Sequence, residues 1–241
     1  MRAGAAEGGN GEDIVMVGVG NTAEVFDYGD GKVCKLFYPG YPRAAVEREY
    51  RNAKEAERLG LPVPKVFELV ESEVRTGILY EKIAGKSMLE CLLENLKEAE
   101  AYLEQFVRLQ KAWLQKATEQ SDSILSYKDF LKSLLKGAEQ EGEVPLCEEI
   151  NALPKGELLL HGDFHPGNVM ITPEHRFVVI DFMNVCRGPA SYEIARTYVL
   201  LKEKNETFGK AYLAKTEVSE TEIEPFCKVI EKCRRFEMVE K

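Results

Sequence analysis

Three oxygen-bearing side chains stand out by their spacing in the stretch "HGDFHPGNVMITPEHRFVVIDF" at residues 161–182: Asp163, Asn168 five positions on, and Asp181 near its end. Asp163 and Asn168 share one loop and Asp181 ends the strand hairpin that follows, so the three can converge. A hard-oxygen set poor in carboxylates suits Mg2+ held jointly with the phosphates of a substrate. The rival set in the same stretch is His161, Asp163 and His165, a nitrogen-rich site for zinc or iron. It is disfavoured because His175 is the only other histidine and no further His/Cys cluster exists. His161 reads instead as a satisfied core histidine and Pro166-Gly167 as a turn.

The loop needs a rigid frame, and the sequence supplies one. Leu158 to Leu160 lead into it and Phe177 to Ile180 lead out of it, both apolar runs of the kind that form buried strands. Upstream, residues 13–20, 22–29 and 32–38 read as three antiparallel strands, the last two joined by an Asp30-Gly31 hairpin turn. "AAVEREYRNAKEAERLG" then reads as a helix that opens near Pro42 and stops at Gly60, and "PKVFELVE" and "TGILYEKI" return as two more strands. Beyond the short connector "AGKS", Ser87 and Glu90 form a capping box for one long helix through about Ala117. Another helix begins near Ser126, and Ser219 with Glu222 caps the last one.

The strand-rich part has chemistry of its own. Gly18 and Gly20, between the first two strands, let backbone amides approach a phosphate chain, although a glycine pair there also suits a plain turn. Alternation along residues 32–38 puts Lys35 on a face that looks buried, where a lysine rarely stays without a partner or an anion. The partner comes from the following helix, whose apolar stripe of Val46, Tyr50 and Ala53 also carries Glu49, while Glu47 points away. Desolvating two charges for stability alone is a poor exchange. A pair that aims the ammonium at a phosphate explains both.

Composition removes several function classes. The chain has 241 residues, 44% of them hydrophobic, enough for one large domain or two lobes. Its net charge of −9 argues against nucleic acid or an anionic membrane as the main partner. No apolar run approaches the ~20 residues of a membrane span, and the Gly-rich start has no apolar signal segment. The six cysteines are scattered without metal-ligand spacing, which fits reduced thiols in a cytoplasm.

The order of Gly loop, Lys35, Glu49, "HGDFHPGN" and "IDF" resembles the aminoglycoside phosphotransferase and choline kinase-like family, which shares the protein-kinase fold. "VERE", "LPVPKV" and "YEIAR" extend the likeness over nearly the whole chain. The resemblance implies an α+β, two-lobed fold: a nucleotide-binding lobe at 12–83 with a five-stranded antiparallel sheet and one helix, and a larger, mostly helical lobe at 84–241. It implies ATP and Mg2+ as cofactors and a small hydroxylated acceptor, aminoglycoside, choline-like or sugar-like. Asp163 matches the catalytic aspartate, Asn168 and Asp181 the metal ligands, and Lys35 with Glu49 the phosphate-aiming pair. Gly20, Asn21 and Thr22 match the loop over the phosphates. The Glu81 carbonyl and Ile83 amide match the adenine edge, with Tyr80 behind them. The departures are Ala23 for the third loop glycine, Met183 after Asp181-Phe182, Gln110 where a histidine is often found, and Glu193 where an aspartate is expected.

Two other classes share these motifs. A protein kinase would have an arginine after His161 and room for an activation loop after Asp181, but Gly162 stands there and only eleven residues, Phe182 to Tyr192, lie between Asp181 and Glu193. A nucleotide-binding pseudoenzyme would usually have lost Asp163, Asn168 or Lys35, and all three are present.

Overall fold

The structure is a computed structural model that describes residues 15–117, 123–135 and 143–237. The chain divides into two compact units, residues 1–84 and 85–241. The expected first strand at 13–20 begins in part outside the described residues.

The first unit is a five-stranded antiparallel sheet carrying one helix. Its elements are β1 (Met16–Val19), β2 (Ala23–Gly29), β3 (Lys32–Phe37), α1 (Arg43–Arg58), β4 (Val66–Glu71) and β5 (Thr76–Glu81), with spatial order β1-β2-β3-β5-β4. The β2–β3 turn forms because Asp30 and Gly31 both accept positive φ, 48° and 69°. Helix α1 starts after Pro42 and ends at Gly60, whose φ of 69° is the left-handed stop a glycine makes at little cost. Its buried face carries Val46, Ala53 and Ala56 together with Glu49.

The second unit begins with a two-residue strand β6 (Lys86–Ser87), followed by α2 (Met88–Glu94), α3 (Ala99–Trp113), α4 (Tyr127–Leu134) and α5 (Glu143–Ala152). Then come the short strands β7 (Leu158–Leu160), β8 (Val169–Ile171), β9 (Phe177–Val179) and β10 (Cys186–Gly188), and three helices, α6 (Ala190–Lys204), α7 (Glu206–Thr216) and α8 (Glu220–Glu237). The single long helix expected from Ser87 to about Ala117 is two helices. Asn95 leaves helical geometry at φ −140°, ψ 77°, and a short 3-10 turn at Leu96–Glu98 precedes α3. An asparagine side chain competes for backbone hydrogen bonds, and that is enough to end α2 here. The expected capping boxes form at Ser87/Glu90 and at Ser219/Glu222.

Three small pairings hold the polar loop. β7 pairs with β10, β8 pairs with β9, and β6 adds to the far side of β8. Beneath the loop Phe164, Phe182, Trp113 and Phe106 are all buried. All six cysteines are free thiols. No helix among the described residues is long and apolar enough to cross a membrane.

Candidate active site

The loop at 161–168 is fixed from three sides. His161 is fully buried and edge-on to Trp113, Phe164 and Phe182. Its Nδ1 accepts from the Asp163 amide at 3.3 Å, so Nε2 carries the proton and donates to the Ile180 carbonyl at 3.0 Å. Burial pushes the His161 pKa down, against the pull of Asp163 and Asp181, which keeps the ring neutral. This is the core histidine the sequence suggested, and it ties the loop to the end of β9.

Helix α6 grips the loop from a second side. Gly162 has φ 74°, and a Cβ there would stand 2.1 Å from the Asn184 carbonyl oxygen, so only glycine fits. Its amide donates to Glu193 Oε2 at 2.9 Å, and its carbonyl accepts from Arg196 Nε, one turn further along α6. Burial raises the Glu193 pKa to about 7, although the Gly162 amide and the Arg196 guanidinium pull it down. Glu193 therefore fills the place where an aspartate is expected and holds the loop through its backbone.

The third support comes from α3. Gln110, which stands where a histidine is often found, is buried between two hydroxyls: its Nε2 donates to Thr197 Oγ1 at 2.9 Å and its Oε1 accepts from Tyr212 at 2.5 Å. Thr197 in turn donates to the Phe164 carbonyl at 3.0 Å. A chain of bonds thus runs from α7 through α3 and α6 into the loop. A lone polar residue on the apolar face of α3 was its only sequence signal.

These supports present Asp163 in a defined way. The Gly167 amide donates to His165 Nδ1 at 3.1 Å, which leaves the proton on Nε2, 3.6 Å from Asp163 Oδ2. Asn168 Nδ2 donates to the Asp163 carbonyl at 2.9 Å and reaches the same Oδ2 at 3.4 Å. Both donors address one carboxylate oxygen, and Oδ1 makes no hydrogen bond to the described residues, the side chain being partly exposed. Burial alone would raise the Asp163 carboxyl, but the His165 ring and the Arg196 guanidinium outweigh it and hold the group well below the usual carboxylate range. His165, which the sequence brought in only as part of the disfavoured zinc or iron set, belongs to this arrangement.

Asp181 follows directly. The Ile180 amide donates to the Asn168 carbonyl at 3.0 Å, which sets the next residue beside the loop. Asp181 has φ 69°, a left-handed conformation that costs a non-glycine residue about 1–2 kcal/mol and that aspartate tolerates better than most. Backbone strain of this kind is retained where it places a side chain. Among the described residues no three His, Cys, Asp or Glu side chains form a metal cluster. The donors present fit Mg2+ better than a transition metal: Asn168 has its nitrogen committed and its amide oxygen left over, and Asp181 adds a carboxylate.

The first unit holds the other predicted residues. Lys35 Nζ lies 2.8 and 3.0 Å from the two oxygens of Glu49, whose side chain is fully buried, and Tyr80 donates to Glu49 Oε1 at 3.1 Å. Glu47 instead pairs with Arg43 on the surface at 2.8 Å. In the loop between β1 and β2, the Gly20 amide is already committed to the Ala23 carbonyl at 2.8 Å, and Tyr38 holds the Gly20 and Thr22 carbonyls at 3.0 Å each. The amides left for an anion are those of Asn21 and Thr22. At the end of β5, Glu81 donates its amide to Lys65 and accepts from the Lys65 amide with its side chain, whereas the Ile83 amide has no acceptor among the described residues.

A model of a phosphotransferase enzyme family matches residues 14–226 of the chain. No curated protein matches the sequence. Several solved structures share the fold at low identity. An aminoglycoside-3'-phosphotransferase of type VIII superposes with a TM-score of 0.66 at 17% identity, covering 92% of this chain and 93% of the other. The choline kinase LicA from Streptococcus pneumoniae gives 0.62 at 14% identity, covering 92% and 83%. Aminoglycoside phosphotransferase APH(3'')-Id from Streptomyces rimosus, solved with ADP and streptomycin, gives 0.59 at 13%, covering 86% and 88%.

Proposed function

Since the chain belongs to the phosphotransferase enzyme family, whose members here share its protein-kinase-like fold, we propose that it moves the γ-phosphate of ATP to a hydroxyl of a small molecule with Mg2+ as cofactor. What supports this most is the Asp163 carboxylate, with one oxygen addressed by His165 and Asn168 and the other without a hydrogen bond to the described residues, on a loop held by Glu193 and Arg196.

Phosphoryl transfer passes through a loose transition state, so a protein contributes mainly position and charge. Asp163 Oδ1 accepts the hydrogen bond of the acceptor hydroxyl and turns its lone pair towards phosphorus. A carboxyl held this acidic is a weak base, so the proton moves to Asp163 only as the new P–O bond forms and the bond to ADP breaks, and from there it passes to solvent. Mg2+ supplies charge neutralisation on the terminal phosphates when it is bound, with Asn168 and Asp181 as its protein ligands. Lys35, oriented by Glu49 and Tyr80, neutralises the inner phosphates. The Asn21 and Thr22 amides cradle the phosphate chain, with Gly20 leaving no side chain in its way, and the Glu81 carbonyl and Ile83 amide take the adenine edge.

Phosphorus NMR tests the reading. The protein, ATP and Mg2+ are mixed with pools of aminoglycosides, amino alcohols and sugars, and a new phosphomonoester signal is expected to grow with that of ADP and to stop on adding EDTA. Tight ATP binding without any turnover would point to a pseudoenzyme. Efficient phosphorylation of a folded protein, with no small acceptor found, would point to an atypical protein kinase.

A further inference from the structure

Tyr38 is the residue that fixes the loop between β1 and β2. It follows β3 directly, three positions after Lys35. Its hydroxyl donates to the Gly20 carbonyl and its amide to the Thr22 carbonyl, each at 3.0 Å. The Gly20 amide in turn donates to the Ala23 carbonyl at 2.8 Å. One residue thus grips the loop on both sides of Asn21.

What the hydroxyl fixes is a direction. In a trans peptide the carbonyl and the amide point to opposite sides. With the Gly20 carbonyl held by Tyr38, the Asn21 amide of the same peptide points away from the hydroxyl. Without that anchor the peptide is free to turn over, since Gly20 has no Cβ to resist it and Asn21 is exposed. The ring of Tyr38 is itself held. The Arg75 guanidinium lies 5.9 Å from its centroid, donates to the Leu36 and Phe37 carbonyls at 2.8 and 2.7 Å, and pairs with Glu24 at 2.7 Å. At the surface a tyrosine hydroxyl finds water as readily as it finds a carbonyl, so this bond adds little to stability. Its effect is to preorganise an amide.

Resting on the reading of this loop as the one over the phosphates, we propose that Tyr38 is a positioning residue for the nucleotide: its hydroxyl aims the Asn21 amide at the phosphate chain and so sets how much more tightly a phosphorylated nucleotide binds than its nucleoside. A backbone amide that already points at the anion binds it without reorganisation, whereas one that must first turn spends part of the binding energy on doing so. The end of β3 and the residue after it then have two tasks at one place. Lys35 brings the ammonium to the inner phosphates, and Tyr38 directs the loop above them.

The test is calorimetric titration of wild type and Tyr38→Phe with adenosine and, separately, with Mg2+-ADP. Phenylalanine keeps the ring against Arg75 and removes only the donor. Adenosine affinity should stay within about twofold of wild type while ADP affinity falls about fivefold, as expected for losing one hydrogen bond. The melting temperature should stay within about 2 °C, because the bond lies at the surface. Tyr28→Phe, which alters an exposed tyrosine near the other end of β2, is the control and should change neither affinity. Equal losses for adenosine and ADP would make Tyr38 a support of the whole unit, and an unchanged ADP affinity would leave its hydroxyl without a part in binding. Either result overturns the proposal and leaves phosphotransfer standing. Wild-type protein that bound ADP no better than adenosine would overturn the reading of the loop itself, and this inference with it.

Discussion

At the scale of single residues, function depends on which atoms are already engaged. His165 has its Nδ1 occupied by the Gly167 amide, and so its Nε2 proton is directed at Asp163. The 3.6 Å separation is long for a hydrogen bond, as catalytic contacts often are before substrate tightens them. His165→Ala should therefore lower turnover about tenfold with little change in the KM for ATP, in line with losing one bond to a charged group. His165→Gln, whose amide can donate from nearly the same place, should restore most of the loss, a rescue that a purely structural histidine would not show. Glu193 makes a separate prediction about pH. Its pKa is raised by burial to about 7 from an ordinary 4.5, so between those values the folded protein binds more protons than the unfolded chain. Its contribution to stability is then complete below about pH 4.5 and is lost as pH rises through 7. Denaturant titrations of wild type and Glu193→Gln across this window should diverge, with the wild type losing on the order of 1–3 kcal/mol relative to the variant. Parallel curves would mean that Glu193 is ionised throughout.

At the scale of elements, the strands and helices decide which of these residues can meet. The antiparallel sheet and α1 were legible because their periodicities are local: alternation along β3 and the 3.6-residue stripe of α1 bring Lys35 to Glu49, as the structure shows. Lys35→Ala should weaken ATP binding and leave a buried carboxylate without its bidentate partner, whereas Glu47→Ala should change stability by no more than ~0.5 kcal/mol. Equal effects of substituting Glu47 and Glu49 would contradict the face assignment. What the sequence did not reveal is non-local. The pairings of β6 with β8 and of β7 with β10 involve two or three residues each, too few to carry a period. The bonds of Gln110 span 87 and 102 positions along the chain. The break at Asn95 depends on one residue in an otherwise continuous helical pattern. Asp181 at the end of the β8–β9 hairpin is a further hidden feature, since a left-handed aspartate looks like any other in the sequence. Asp181→Ala should melt below Asp181→Gly by the equivalent of ~1 kcal/mol, because only glycine accepts that φ freely, and both should lose phosphotransfer. If the alanine variant were the more stable of the two, the strain would not be real.

At the scale of the whole molecule, the chain is acidic, with a net charge of −9. The acidic run at 219–224 opens the last helix: Ser219 and Glu222 cap α8, and Glu220 accepts from Tyr198 at 3.3 Å. In the proposed reaction Asp163 orients the acceptor and does not hold the nucleotide. Calorimetry of Mg2+-ATP binding and product assays, run side by side on wild type and Asp163→Asn, test it most directly. Affinity within about twofold of wild type together with turnover reduced ~10²-fold or more is the expected result, and normal turnover by the asparagine variant would contradict the account.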